Sequence, residues 1–182
     1  MKATGIVRRI DGLGRVVVPK EIRKAMKLNE GEQIEMFTNN ECGIILKKYS
    51  PIYQISEFIN MYTESIQQTI GNIIIISDTD TIIAASGIDS KVYIGKKITH
   101  ELETVMKHRK LVTSGEEVLK RIPIYEDEKF INGAQVISPI ISEGDVIGAV
   151  IILSNDEGLK FGELELKLAE TASLFLSKQI EP

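Results

Sequence analysis

Six cations near the amino end are the side chains best suited to chemistry in this 182-residue chain: Arg8, Arg9, Arg15, Lys20, Arg23 and Lys24. Arginine offers a planar fork that pairs with phosphate oxygens or with the N7 and O6 edge of guanine, whereas lysine is a mobile point charge. Residues 1–28 hold eight cations and two acids, and residues 51–182 hold twelve cations and twenty acids. A chain of net charge −4 therefore carries a +6 segment at one end. Such asymmetry is the electrostatic footprint of a surface that meets a polyanion, most often nucleic acid. The −8 balance of residues 51–182 argues against a second nucleic-acid surface there.

The elements that position these cations are short. Thr4, Ile6, Ile10 and Leu13 place apolar or β-branched residues among the charges. Asp11, Gly12 and Gly14 are turn formers. Val16, Val17 and Val18 form a β-branched run suited to a strand, and Pro19 stops it while presetting the first position of a helix over 20–27. Glu21 lies near the positive end of that helix, and Lys24 and Lys27 near its negative end. Asn29 and Gly31 end it. Strands over 33–38 and 44–49 flank a turn at 39–43. The expected order is strand, turn, strand, helix, strand, turn, strand. Arg8 and Arg9 are strand neighbours, so their side chains leave opposite faces. Fifty residues of this kind cannot bury a sufficient core alone. Ile6, Val16, Val18, Ile22, Met26, Leu28, Ile34, Met36, Ile45 and Leu46 are the expected core, shared with a partner.

The runs GIVRRIDGLGRVVVPKEIR, EGEQIEMF and GIILKKY resemble the N-terminal DNA-binding domain of the AbrB-type transition-state regulators. The resemblance implies a swapped-hairpin β-barrel in which two chains interdigitate into one dimeric unit that binds double-stranded DNA. It carries DNA contacts onto Arg8, Arg9, Arg15, Arg23 and Lys24; Lys20 joins them from its place at the helix start. No zinc-finger spacing, basic helix with heptads or helix-turn-helix is visible, so recognition is expected to use loops, strand ends and DNA shape.

A domain boundary is expected near residue 50, with Ser50 as N-cap and Pro51 as first helical residue. Ile52, Ile55, Ile59, Tyr62, Ile66 and Thr69 then recur at steps of three and four, the seam of a short coiled coil over a linking helix at 51–71. The same pattern also fits an amphipathic helix packed on its own sheet. Phe58 and Ile70 lie off the seam. Residues 72–182 read as a sensor-like module. Strands at 72–77 and 81–85 precede a loop at 87–97 and a helix at 98–110 with Leu102, Val105 and Met106 inward. A short strand at 111–113 and a polar stretch at 114–132 follow. A hairpin of 134–141 with 145–154 and a helix at 161–179 close the chain. That helix carries Leu164, Leu168, Ala172, Phe175 and Leu176 on one broad face, with Leu166 and Leu174 elsewhere, so it needs cover on more than one side.

VIGAVIILS followed by F-x-x-x-E-x-x-L-A-x-x-A is similar to the end of GAF domains, small-molecule sensor folds built on an antiparallel sheet. The expected fold class is therefore α+β: a swapped-hairpin AbrB-type domain over 1–50, the linking helix, and a GAF-like domain over 72–182. The family resemblance implies a homo-oligomer, a tetramer of two DNA-binding dimers. A small-molecule ligand would lie between the sheet and 87–133, with Ser86, Ser90, Tyr93, Tyr125 and Asn132 as polar candidates; a domain that only dimerises fits equally well. The cyclic-nucleotide signature of some GAF domains is absent. So are the cysteines that GAF-type methionine sulfoxide reductases need, a P-loop, a nucleophile elbow and HExxH. No catalytic residues, cofactor or metal are expected.

Two functions remain. One is a sequence-selective transcription regulator, of sporulation-stage (forespore) genes by resemblance to sporulation members of the family. The other is an antitoxin-like protein that neutralises a toxin, because antitoxins share the swapped-hairpin fold. The patterned region of about 130 residues after the barrel favours the regulator. Cys42 is read as an idle thiol of a reducing compartment. His100 and His108 are read as surface helix residues. No apolar run spans a bilayer and no secretory signal is visible, so a cytoplasmic, nucleoid-associated protein is expected.

Overall fold

Short-range signals divide the chain where Tyr49 gives way to Ser50 and Pro51. A computed structural model describes residues 5–40, 42–114, 121–128, 133–156 and 158–180. It falls into two compact units, Met1–Tyr49 and Ser50–Pro182.

The first unit contains helix α1 (Lys20–Ala25) and an antiparallel pair, β1 (Ile34–Thr38) with β2 (Ile44–Lys48), in which Met36 faces Leu46 and Phe37 faces Ile45. Pro19 is the N-cap of α1, not its first residue, because its ψ of 151° is extended. The strands expected at the start and at residues 16–18 are not formed among the described residues. Thr4 lies outside the described residues. A strand needs a ladder partner, and residues 5–10 and 15–19 find none among the described residues of this unit. The expected core is correspondingly incomplete. Leu28 alone of the ten residues is buried; Ile6, Val16 and Met36 are exposed and the others half-buried.

The second unit begins with α2 (Pro51–Gln54), where the Ser50 hydroxyl accepts the Tyr53 N–H at 3.2 Å, and continues in α3 (Ser56–Ile70). The expected single helix is thus two pieces, parted where Ile55 N–H reaches back only three residues to Ile52 at 3.3 Å. Gly71 ends α3 in the left-handed region, at φ 76°, where glycine has no Cβ to clash. The strands β3 (Ile73–Asp78), β4 (Ile82–Ser86), β5 (Val112–Ser114), β6 (Gln135–Ser142) and β7 (Asp145–Leu153) form one antiparallel sheet in the order β4-β3-β7-β6-β5. Helix α4 (His100–Lys107) lies between β4 and β5, and α5 (Glu163–Ile180) closes the unit.

Both faces of this sheet are covered, which explains why β3 is buried along its whole length although its neighbours are antiparallel. On one face Ile74, Ile76, Val136, Val150 and Ile152 meet Ile52, Ile59 and Ile66 together with Ala169, Ala172 and Leu176 of α5. On the other, Ile75, Ile82, Ile137, Ile151 and Leu153 meet Leu102 and Met106 of α4, Ile98, Tyr93 and Ile124. Each fully buried isoleucine contributes roughly 1.5–3 kcal/mol relative to exposure. Small residues let α5 sit close: the Ser138 and Ser173 hydroxyls share a hydrogen bond at 2.8 Å, and Ser177 donates to the Ile141 carbonyl. Gly148 is required for close approach, since a Cβ there would stand 2.0 Å from the Ser77 carbonyl oxygen.

The coiled-coil seam is therefore divided. Ile52, Ile59 and Ile66 are spent on the unit's own core, while Ile55, Phe58 and Tyr62 remain half-buried and Thr69 is exposed.

Candidate nucleic-acid interface

Asp11 organises the loop that carries Arg15. Its Oδ1 accepts the backbone N–H groups of Leu13 and Arg15, each at 2.9 Å, and its Oδ2 accepts the Arg15 Nε–H at 2.8 Å. The backbone adds two bonds, from Asp11 N–H to the Arg15 carbonyl and from Gly14 N–H to the Asp11 carbonyl, both 3.0 Å. Gly14, at φ 76°, supplies the left-handed turn between them. The result is a closed loop whose closing residue, Arg15, keeps 70 % of its side chain exposed. The Arg15 backbone N–H and then its side chain hold the Asp11 carboxyl below its ordinary pKa.

The other predicted contacts are also on the surface of this unit. Arg8 and Arg9 are exposed in the extended segment, with Arg8 Nη1 donating to the Val7 carbonyl at 3.0 Å. Lys20, Arg23 and Lys24 are exposed on α1. That helix is held from below by buried Pro19 and Leu28, with Arg23 N–H reaching the Pro19 carbonyl and Leu28 N–H the Arg23 carbonyl. Glu32 braces the turn after α1. It accepts from the Asn29 backbone at 2.9 Å and side chain at 3.0 Å and pairs with Lys48 at 3.3 Å. Burial opposes ionisation of Glu32, but the Asn29 hydrogen bonds and Lys48 outweigh it and lower its pKa. Among the described residues no group of His, Cys, Asp and Glu could hold a metal ion. The sequence reading missed Asp11 as the residue that orients Arg15; the signal was its place four residues earlier among turn formers.

Residues 54–181 match the family described as stage V sporulation protein T C-terminal, transcription factor. Over 181 residues, 100% of this chain and 99% of the relative, the sequence is 42% identical to stage V sporulation protein T of Bacillus subtilis. The chain belongs to the stage V sporulation protein T family of transcription factors. Its first unit is 51% identical over 51 residues to the transition state regulatory protein AbrB of the same organism, covering 28% of this chain and 52% of that protein. Residues 7–54 also match the family described as antidote-toxin recognition MazE, bacterial antitoxin. The GAF domain of an Acinetobacter phosphoenolpyruvate-protein phosphotransferase superposes on 73% of this chain and 83% of its own, with a TM-score of 0.54 at 15% identity, which shows the GAF-like fold. As a member of the stage V sporulation protein T family, the chain is a DNA-binding regulator of transcription with an α+β fold.

In this family member the polar candidates of the GAF-like unit do not converge. Ser86 turns to the α3 face, where its hydroxyl donates to Thr63 Oγ1 at 3.1 Å. Tyr93 is buried on the opposite face, edge-on to Tyr125 at 5.7 Å, and desolvation raises its pKa. Ser90 is half-buried in the 3-10 turn at Ser90–Val92, and Asn132 lies outside the described residues. A network that sequence reading did not find sits beside the tyrosines. Buried Arg121 binds Glu128 and, at 2.9 Å, Asn155, while the other Glu128 oxygen accepts the Ile124 N–H. His100 and His108 are exposed, at the start and just past the end of α4, and Cys42 is exposed at the β1–β2 turn.

Proposed function

We propose that this chain regulates sporulation-stage genes by sequence-selective binding to double-stranded DNA through Arg8, Arg9, Arg15, Lys20, Arg23 and Lys24. The observation that carries the reading is the Asp11-closed loop, which holds Arg15 outward within the +6 segment. The operative unit is a swapped-hairpin dimer. Supporting it, Val7, Ile10, Leu13, Val16, Val17, Met36 and Ile44 are all exposed in the single chain, and two extended segments lack a ladder among the described residues. A monomer of this size cannot leave so much apolar surface in water and remain stable.

Residues 51–182 assemble two such dimers into a tetramer. The half-buried side of the former seam supports this: Phe58, Tyr62 and Phe175 form an aromatic group with centroids 5.2–6.0 Å apart, flanked by exposed Met61 and Leu174. The Tyr93–Tyr125 side of the sheet is the place for a small-molecule ligand. The protein is not an enzyme in this reading, and it works on the nucleoid in the cytoplasm. No helix among the described residues is long and apolar enough to cross a membrane.

The match of residues 7–54 to an antitoxin family keeps a toxin partner as the second reading. A folded second unit, rather than a disordered toxin-wrapping tail, favours the regulator. Duplex DNA selected in vitro by the intact protein tests the choice. A regulator enriches a defined sequence and shows an affinity that falls linearly with log salt. Failure to enrich any sequence, with salt-insensitive behaviour, returns the antitoxin reading.

A further inference from the structure

The GAF-like unit carries net charge −8, yet three of its twelve cations fall within four residues. Lys107, His108, Arg109 and Lys110 are all exposed at the carboxyl end of α4. Buried Leu102 and Met106 anchor this helix to the sheet. Its end is tied by His108 N–H to the Thr104 carbonyl at 3.2 Å and by Arg109 N–H to the Met106 carbonyl at 2.9 Å. The run is therefore displayed from a fixed base.

One feature sets it apart from ordinary surface charge: the cations at its end have no carboxylate partner among the described residues. Arg109 itself has φ 56°, the left-handed backbone that Lys27 also adopts just past α1. Helix-end electrostatics explains only part of the run, because Lys107 already occupies the last turn. Lys107 pairs with Glu103 at 3.4 Å, and Glu103 also meets His100 at 3.3 Å. Among the described residues no carboxylate pairs with Arg109 or Lys110.

The composition of this stretch of sequence favours one partner. A protein-docking site is built around an apolar or aromatic centre, whereas a phosphate contact needs cations alone. Among the described residues no exposed large apolar side chain falls between Ile94 and Leu159. Net charge does not veto a local contact. Exposed charges further away than about 10 Å are largely screened at 0.1 M salt, so a nearby phosphate senses this run more than the rest of the domain.

We propose that residues 107–110 form a second, sequence-independent DNA contact, made to backbone phosphates flanking the site held by the first unit. This rests on the DNA-binding reading above and amends the expectation that residues 51–182 have no nucleic-acid surface. Once the first unit is bound, the second unit is tethered to the same duplex. Even a weak contact then acts at a high effective concentration.

The test uses the full chain and two duplexes selected by the wild-type protein: one trimmed to the protected site and one extended by about two helical turns on each side. The variant combines Lys107→Gln, Arg109→Asn and Lys110→Gln, asparagine being suited to the left-handed backbone. A single Lys110→Gln variant, at an exposed position outside any element, guards against misfolding. On the long duplex the slope of log affinity against log salt should flatten by about 0.9 for each phosphate that is no longer neutralised, hence by up to about 3 for the triple variant and 1 for the single. On the trimmed duplex both variants should match wild type. An unchanged slope on the long duplex, or equal weakening on both duplexes, overturns the flanking contact. If wild type itself binds neither duplex in a salt-dependent way, the DNA-binding reading fails first.

Discussion

At the scale of single residues, Asp11 distinguishes positioning from bulk electrostatics. Removing an acid from a +6 segment should tighten DNA binding if charge alone matters. Asp11→Ala instead opens the loop that aims Arg15, because the Leu13 N–H, Arg15 N–H and Arg15 guanidinium are all left without this acceptor. Binding should weaken by about tenfold. Fluorescence anisotropy on a selected duplex decides between the signs. Arg15→Ala and Arg23→Ala should each weaken binding and flatten the salt slope by about one unit; unchanged affinity and slope in both would remove these side chains from the surface. Acid provides a further check. The folded pKa of Asp11 lies below its ordinary value of 3.8, so its contribution is fully present above that value and is lost as pH falls through the folded pKa. The Leu13 and Arg15 amide resonances should stay fixed from pH 8 to 5 and shift only below about pH 4. A shift between pH 8 and 5 would mean that another group closes the loop.

At the scale of elements, local signals were legible and shared periodicities were not. Ser50 and Pro51 announced a helix start because capping needs only three or four consecutive residues, and the Ser50–Tyr53 bond is such a cap. The seam from Ile52 to Thr69 could not be assigned, because a helix meeting another helix and a helix meeting its own sheet use the same three–four spacing. Packing divides it: Ile59 is fully buried within its own unit, whereas Phe175 on α5 remains exposed beside Phe58 and Tyr62. Arg121, Glu128 and Asn155 stayed hidden for a different reason. Their bonds span 7 and 34 residues, and no short window of sequence contains them. The division of the seam makes opposite predictions for two substitutions. Ile59→Asp leaves an uncompensated charge in the interior and should cost about 3–5 kcal/mol of fold stability. Phe175→Asp should leave the thermal midpoint nearly unchanged but lower the oligomeric mass. Calorimetry and light scattering on the two variants settle the matter. A Phe175→Asp protein with wild-type mass would remove the α3–α5 aromatic group from the assembly.

At the scale of the whole molecule, the extended start of the chain shows why one copy is incomplete. Residues 5–10 and 15–19 have strand-forming composition but no ladder partner among the described residues of the single chain, and most of their large apolar side chains stand in water. In the proposed swapped-hairpin dimer the information for their pairing lies in a second copy, which would complete the core. The proposed assembly bears on the affinity for DNA. One proposed dimer would touch few phosphates and bind modestly. In the proposed tetramer, joining two dimers through residues 51–182 would make the second site an intramolecular partner, at an effective concentration up to about millimolar, and would raise avidity by roughly 10²–10⁴. Wild-type protein should therefore bind a duplex with two suitably spaced sites far more tightly than a duplex with one. Phe175→Asp should bind the one-site duplex like wild type and lack the two-site advantage. A ligand on the Tyr93–Tyr125 side of the sheet could alter that advantage only through different affinities for two arrangements of the assembly, and it would leave one-site binding untouched. If wild type and Phe175→Asp show equal affinities on both duplexes, avidity is not the role of the second unit. The contribution of residues 51–182 to DNA binding would then reduce to the phosphate contact at 107–110.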